Sequence, residues 1–334
     1  MTLLVLYKLL AIVATIGLGW LALQRGWLAP GNTSPEVATQ VLGNATMVLF
    51  VPALLFRTIV RQDLAALPWR ILAAYFVPAL AYMLVVYAWH RFRSLRHHKH
   101  RVCNHPRPVG AEPATRAIAV TYGNAVQLGI PMAAALFGEA GLALHIALVS
   151  LHGLVLLTVL TVLAEADLAR GNEAASRWVT LRVTVRNTLM HPVVLPVLAG
   201  LLWNFTGLGL HPVVDQALLT LGQAAVPMAL VLIGASLATH GVRGHLRNAW
   251  GMVALKLLVM PAVVLLVAHQ VFGLRGMPLS VLVMMAALPA GTNAVIFAGR
   301  YQTLLPEVSV AVVMATFAFV ATAGLWLVVL GWVG

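Results

Sequence analysis

The stretch that decides the fold is TYGNAVQLGIPM, residues 121–132, near the middle of an apolar segment long enough to cross a bilayer. It holds two side-chain amides, Asn124 and Gln127, and two glycines ahead of Pro131. A proline removes a backbone N–H and clashes with the carbonyl four residues earlier, so the helix is predicted to kink or break at Pro131. In hydrocarbon, the freed backbone groups are tolerated only where protein or a watery cavity satisfies them. The stretch is therefore predicted to lie where a polar solute is held.

A second interrupted segment, ALPAGTNAVIFAGRY, occupies residues 287–301 and contains Pro289, Gly291, Thr292 and Asn293. The tripeptide Asn-Ala-Val occurs in both segments. Interrupted hydrophobic segments at corresponding positions of two halves are typical of the binding sites of secondary transporters. The pair predicts that two breaks meet at mid-membrane around a wet pocket, and it favours a membrane carrier.

The composition is that of a membrane protein. Of 334 residues, 61% are hydrophobic and 9% are charged, whereas soluble domains carry about 25% charged residues. Long apolar runs without a period of two favour helices over an outer-membrane barrel. Ten segments are long enough to span, at about 3–23, 36–59, 68–90, 113–137, 142–163, 185–204, 214–238, 249–271, 278–298 and 308–333.

The ten predicted spans fall into two halves. Residues 1–164 form a first five-helix repeat and residues 178–334 a second, joined by a cytoplasmic linker of mixed charge at 165–177. Prolines recur at matching places in the two halves: Pro52 with Pro227, and Pro78 with Pro261. An odd number of spans per repeat inverts the second half in the membrane. The predicted fold class is an all-α integral membrane protein with ten transmembrane helices, two inverted repeats and broken crossover helices 4 and 9.

The basic residues predict the orientation. With the N-terminus outside, 15 Lys and Arg residues lie on the inner side and 4 on the outer side, which predicts that both termini are outside the cytoplasm. Because the net charge of +12 is spread over short loops between spans, it favours membrane lipid as the partner and not nucleic acid. The first apolar run lacks the cleavage site of a signal peptide and is long enough to span.

One basic loop is rich in potential zinc ligands, namely His97, His98, His100, Cys103 and His105. Their spacing matches no established zinc finger. We interpret the loop as a solvated cationic segment that contacts anionic lipid, with metal binding as the alternative. No cofactor is predicted for the chain.

Six motifs together resemble the auxin efflux carrier family, which includes plant auxin exporters and bacterial malonate or malate permeases. Two of them are the interrupted segments quoted above. The others are FVPALLF at 50–56, HPVVLPVLAGLLW at 191–203, AAVPMALVLIGASL at 224–237 and LKLLVMP at 255–261. The resemblance covers nearly the whole chain, in the order expected for the family.

The resemblance implies a fold similar to the sodium/proton antiporter and bile-acid symporter group. Helices 4 and 9 would cross, helices 1, 2, 6 and 7 would form a scaffold, and the rest would form a core that moves like an elevator. Asn124 and Pro131 match the motif of helix 4, and Pro289 with Gly291 the motif of helix 9. The implied location is the bacterial inner membrane, with both termini periplasmic, and a homodimer is compatible with the resemblance.

The side chains at the breaks have two interpretations. Helix N-termini carry partial positive charge and unpaired N–H groups that suit a carboxylate, and Asn124, Gln127, Thr292 and Asn293 add neutral donors and acceptors. We predict that these residues, with Pro131, Pro289 and Gly291, form the substrate site. In the alternative, the amides only satisfy the broken backbone.

Three basic side chains within the spans are candidates for a charge or coupling role. Lys256 either snorkels to the interface, or pairs with helix-end carbonyls at the crossing, or attracts an anionic solute. His145 and His152 lie on one face of the fifth span, where they either hydrogen-bond across the bundle or couple transport to protons. Acidic residues are predicted only at span ends and in the linker, which favours an anion-accepting site with facilitated or weakly coupled transport.

The sequence thus predicts a secondary transporter for a small organic anion, with a dicarboxylate such as malonate or malate as the leading candidate. Export of an auxin-like or other monocarboxylate is the alternative. A membrane-embedded enzyme is less favoured, because no catalytic carboxylate, metal cluster or nucleophile is predicted at mid-depth. The P-loop motif of ATP-driven pumps does not occur in the sequence.

Overall fold

The computed structural model describes residues 3–31, 33–61, 68–100, 110–170, 194–240 and 245–333, together with 182, 186, 189, 190 and 192. This part of the chain is helical apart from turns and one isolated backbone bridge. The helices are α1 (Leu3–Gln24), α2 (Pro35–Ala45), α3 (Val51–Val60), α4 (Trp69–His100), α5 (Glu112–Thr121), α6 (Ile130–Arg170), α7 (Val194–Thr206), α8 (Pro212–His240), α9 (Leu246–Ala254), α10 (Met260–Gln270), α11 (Gly276–Ala287), α12 (Thr292–Arg300) and α13 (Leu305–Val333). Three π-helical turns lie between them, at Thr46–Phe50, Ala125–Gly129 and Leu255–Val259.

Six helical stretches are long and apolar enough to cross a membrane. They are Pro35–Val60, Trp69–Arg96, Met132–Ala169, Pro212–Thr239, Leu246–Gln270 and Leu305–Val333, and shorter apolar helices include Val13–Gln24, Val194–Thr206 and Gly276–Ala287. The prediction of an all-helical membrane architecture is confirmed at this level. The ten-span inverted topology and the division at 164 and 178 stay predictions. Helix α6 is kinked at Gly138, whose φ of 63° and ψ of −161° are not helical, so it consists of two helical pieces. The second piece continues to Arg170, so the first residues of the predicted linker are helical, and residues 171–177 lie outside the described ranges.

Prolines explain where the helices widen. Pro52, Pro131 and Pro261 are each the second residue of an α-helix that follows a π-helical turn. A proline cannot donate to the carbonyl four residues earlier and clashes with it, and one wide turn ahead of the ring relieves the clash. Pro78 and Pro227 lie inside continuous α-helices, so corresponding prolines of the two halves act differently.

The helices pack as two groups. In the group that we call the scaffold, α1 and α2 pack on α8, and α3 packs against α7 and α8. In the group that we call the core, α4 packs on α5 and α10, α9 on α13, and α11 on α6, α10 and α13. The backbones of α1 and α8 nearly touch, because a Cβ on Gly234 would overlap the carbonyl oxygen of Ile16. Close backbone contact at a glycine is a common way for helices to associate in a membrane.

Carboxylates join helices within each group. In the scaffold, Arg57 Nε lies 2.8 Å from Asp215 Oδ1 and ties α3 to α8. In the core, Arg91 Nε donates to Asp167 Oδ1 over 2.8 Å and the Tyr87 hydroxyl donates to Oδ2 over 2.6 Å. Asp167 belongs to the predicted linker, yet it is only 2% exposed and lies within α6.

Candidate functional site

Both predicted segments are interrupted, and this prediction is confirmed. Helix α5 ends at Thr121, and the backbone of Tyr122 is extended before the π-helical turn begins at Ala125. Helix α11 ends at Ala287, and the chain is non-helical until α12 begins at Thr292. In the first segment, however, the full break lies at residues 122–124 and not at Pro131.

The two breaks meet as a short antiparallel bridge. The Asn124 N–H donates to the Pro289 carbonyl over 2.8 Å, and the Gly291 N–H donates to the Tyr122 carbonyl over 2.9 Å. Each break thus satisfies backbone groups that the other has freed, which is the condition for non-helical backbone inside a membrane protein. This partnership explains why the helix opens ahead of Pro131.

Glycine is required where the two backbones touch. A Cβ on Gly291 would lie 2.9 Å from the Gly123 carbonyl oxygen and 3.0 Å from Tyr122 Cδ1. The φ angle of Gly291 is −82°, which any residue adopts. Glycine is needed here because a larger side chain would not fit against the other break. The close approach places the beginnings of two helical stretches side by side.

A cavity of about 100 Å³ lies between the core and the scaffold at this crossing. The core contributes polar groups, including Asn124, Thr292 and Asn293, and the scaffold contributes apolar groups such as Leu54 of α3 and Val226 of α8. The first N–H groups of a helix have no partner within it and carry partial positive charge. The cavity is therefore polar and electropositive on one side and apolar on the other.

Most of the predicted site residues gather here. Asn124, Gly291, Thr292, Asn293 and His152 line the cavity. Pro289 contributes its carbonyl to the bridge. The side chains of Gln127 and Pro131 lie outside the described part of the structure.

Sequence reasoning assigned no role to Tyr122, which lies at the centre of the site. The Asn293 side-chain amide donates to the Tyr122 hydroxyl over 2.8 Å. The Tyr122 ring also lies against the imidazole of His152, with a centroid distance of 4.4 Å. The sequence feature that could have indicated a role for Tyr122 is an aromatic side chain directly before a glycine in an interrupted span. Tyr122 fixes the orientation of Asn293 at the cavity wall.

The two histidines of α6 both contact the first break. Because a carbonyl can only accept, His145 Nε2 donates to the Ala125 carbonyl, over 2.9 Å. His152 Nε2 instead accepts from the Gly123 N–H, over 3.3 Å. The neutral ring of His152 therefore carries its proton on Nδ1. Both side chains are buried, so each positions the backbone of the crossing.

Lys256 does not reach the protein surface. Its side chain is fully buried, and Nζ donates to the Ala286 carbonyl over 2.6 Å. Ala286 lies in the last turn of α11, where the partial negative charge of the helix end favours a cation. Of the three interpretations of Lys256, snorkelling does not fit this position.

Among the described residues, no group of three His, Cys, Asp or Glu side chains is placed to hold a metal ion. The side chains of the histidine-rich loop are not among these described residues. Residues 101–109 and the side chains of residues 97–100 lie outside the described ranges.

One comparison with known proteins identifies a family. A family model described as "Membrane transport protein" matches residues 4–327, which is nearly the whole chain and includes both interrupted segments. No curated protein matches the chain.

Proposed function

The chain belongs to this family of membrane transport proteins, and we propose that it is a secondary carrier for a small organic anion. The leading candidate is a dicarboxylate such as malonate or malate. We place the carrier in the bacterial inner membrane as a multi-pass protein with both termini periplasmic. Membrane lipid is its surrounding partner, and association into a homodimer belongs to the same proposal.

The cavity at the crossing is the observation that carries this proposal. Two helical beginnings meet there, and the amides of Asn124 and Asn293 with the hydroxyl of Thr292 complete the polar wall. Among the described lining residues there is no carboxylate. The partial positive charge of the helix beginnings and the lack of a carboxylate among the described lining residues both favour an anion over a cation.

Alternating access by an elevator movement is supported by where the cavity lies. The first break follows α5 and the second follows α11, both of which belong to the core, whereas residues of α3 and α8 of the scaffold line the opposite wall. Sliding of the core along a fixed scaffold would carry a solute bound at the breaks from one side of the membrane to the other. The close contact of α1 with α8 would keep the scaffold rigid during this movement.

A second candidate substrate is a monocarboxylate with an apolar body, as in auxin-like transport. The specific observation in its favour is the apolar wall formed by Leu54, Ile59 and Val226. Such a wall suits a ring or an alkyl chain better than a second carboxylate. A membrane-embedded enzyme is not favoured by any contact in this cavity.

Uptake into proteoliposomes tests the proposal. Purified protein would be reconstituted and offered radiolabelled malonate, malate, a short-chain monocarboxylate and indole-3-acetate, with and without a pH gradient. We expect saturable uptake of at least one anion, which unlabelled anion of the same class inhibits. Uptake that equals that of empty liposomes for every anion, from protein that is monodisperse and folded, would overturn the proposal.

A further inference from the structure

A second group of polar side chains surrounds Gly123, the residue at the centre of the first break. His152 Nε2 lies 3.3 Å from the Gly123 nitrogen. Lys256 Nζ lies 3.6 Å from the position that a Cβ on Gly123 would occupy. The Tyr75 ring lies 6.0 Å from the His152 ring, centroid to centroid. We call Lys256, His152 and Tyr75 the Gly123 cluster.

The Gly123 cluster contains buried polar atoms without partners. Among the described residues, neither His152 Nδ1 nor the Tyr75 hydroxyl has a hydrogen-bond partner. His152 is 1% exposed and Tyr75 is fully buried. Buried polar atoms nearly always have partners, and exceptions are often functional. His152 also lines the cavity. One wall of the cavity is therefore a titratable side chain that adjoins Gly123, as Lys256 does.

The charge of Lys256 is compensated in part, by the carbonyl end of α11. The contact at hydrogen-bond distance is with a carbonyl, at Ala286, and the part of the chain that the structure describes places no carboxylate in an ion pair with it. The titratable side chains at this place are histidines and tyrosines. His152 of α6 contacts Gly123, Tyr75 of α4 and Tyr122 of the break lie against His152, and Tyr82 of α4 donates to the carbonyl of Leu255, which precedes Lys256. An ammonium group in such a place is costly unless an anion lies near it.

We propose that Lys256 binds one proton when the cavity takes up an anion and releases it when the anion leaves, so that the carrier moves anion and proton together. This inference rests on the proposed function. Lys256 Nζ lies beside Gly123, which lines the cavity. Protonation of the buried amine and anion binding in the cavity therefore stabilise each other, because opposite charges attract one another in a low-dielectric interior. By linkage, the anion then raises the affinity for the proton by the same factor as the proton raises the affinity for the anion.

The cycle balances in atoms and charge. With the cavity open to one aqueous phase, a proton from that phase binds the lone pair of the Lys256 amine, and an anion enters the cavity. After the core has moved, the anion leaves to the opposite phase and the ammonium releases the proton there. His152 is a positioning residue. It lines the cavity that holds the anion and contacts the backbone of Gly123, beside Lys256. Transport of a monoanion with one proton is electroneutral, whereas a dianion such as malonate with one proton moves one net negative charge in each cycle.

The test measures proton movement directly. Proteoliposomes that contain the pH-sensitive dye pyranine would receive external malonate, and in parallel indole-3-acetate, at equal pH on both sides. We expect internal acidification during uptake of the transported anion, with about one proton per anion. A lower external pH should speed uptake, because protonated Lys256 is the form that favours the anion.

Three variants separate coupling from a structural role. Lys256→Arg keeps a permanent charge that does not titrate in proteins, so anion binding in detergent should stay within a few-fold of wild type while acidification is lost. Lys256→Met removes the charge and should weaken binding roughly ten- to hundredfold. His152→Gln can still accept from Gly123 but cannot titrate, and should slow coupled uptake and flatten its dependence on external pH. His269→Gln is the control, since His269 contacts the Leu274 carbonyl at the far end of α10 and should behave as wild type.

The outcomes distinguish the two proposals. Uptake without acidification by wild-type protein, with the same pH profile in Lys256→Arg, would overturn proton coupling and leave the carrier intact. Absence of uptake for every anion would overturn the carrier, and the coupling with it. If Lys256 variants do not fold, the wild-type acidification and the His152→Gln variant still decide the question.

Discussion

Replacing Gly291 with alanine tests whether the bridge between the two breaks holds the site together. The new Cβ would lie 2.9 Å from the Gly123 carbonyl oxygen and 3.1 Å from its carbonyl carbon. These obstacles are backbone atoms, which cannot rotate away as a side chain can. Because the φ angle of Gly291 suits alanine, the whole effect comes from this contact, and the two breaks must move apart.

The size of the effect follows from the hydrogen bonds that the bridge contains. Separation would break the bond from Gly291 to Tyr122 and the bond from Asn124 to Pro289. Loss of a hydrogen bond costs about 1 kcal/mol, and more where buried groups are left unpaired. For two bonds we expect the free energy of unfolding to fall by about 2–4 kcal/mol, and anion uptake to be lost because the cavity wall is displaced.

Gly299→Ala is the matched control, since Gly299 lies in α12, which begins directly after Gly291, and the nearest atom would be 3.9 Å from the new Cβ. Alanine in a helix is favoured over glycine by up to about 1 kcal/mol, so this variant should be as stable as wild type or more so. The assay is thermal unfolding in detergent together with uptake into proteoliposomes. A Gly291→Ala protein with the unfolding temperature and the uptake of wild type would show that the bridge does not hold the site together.

Two further substitutions test other contacts. Tyr122→Phe removes the hydroxyl that accepts from Asn293, which costs about 1 kcal/mol. We expect the KM for the transported anion to rise roughly fivefold with only a small fall in unfolding temperature, and an unchanged KM would contradict the role of Tyr122. Asp167→Asn removes the charged partner that Arg91 and Tyr87 share, so stability measured by thermal unfolding should fall by about 1.5–3 kcal/mol; an unaltered unfolding curve would show that this pair contributes little.

The interruptions could be predicted from sequence because their causes are local. Pro289 and the glycines beside the two Asn-Ala-Val tripeptides mark the breaks whatever surrounds them. The exact place of the first break could not be predicted in this way. It depends on Gly123, which leaves room for a segment more than 160 residues later in the chain, and such a partnership leaves no periodic signal.

The missed features share this dependence on distant partners. Tyr122 acquires its role from Asn293, which is 171 residues away. Asp167 looks like a linker residue because charged neighbours follow it, but Arg91 and Tyr87 of α4 allow it to be buried. For Lys256 the sequence left three interpretations open, and the position of the Ala286 carbonyl decided against snorkelling.

We propose that the transported anion binds at the crossing of the two broken helices. Uptake by Asn124→Ala, reconstituted at the same density as wild type, tests it most directly. Asn124 borders the cavity, and its backbone contact with Pro289 does not need the side chain, so the variant should fold. We expect this protein to be expressed and stable but not to take up anion; uptake at the wild-type rate would show that the anion does not bind at Asn124.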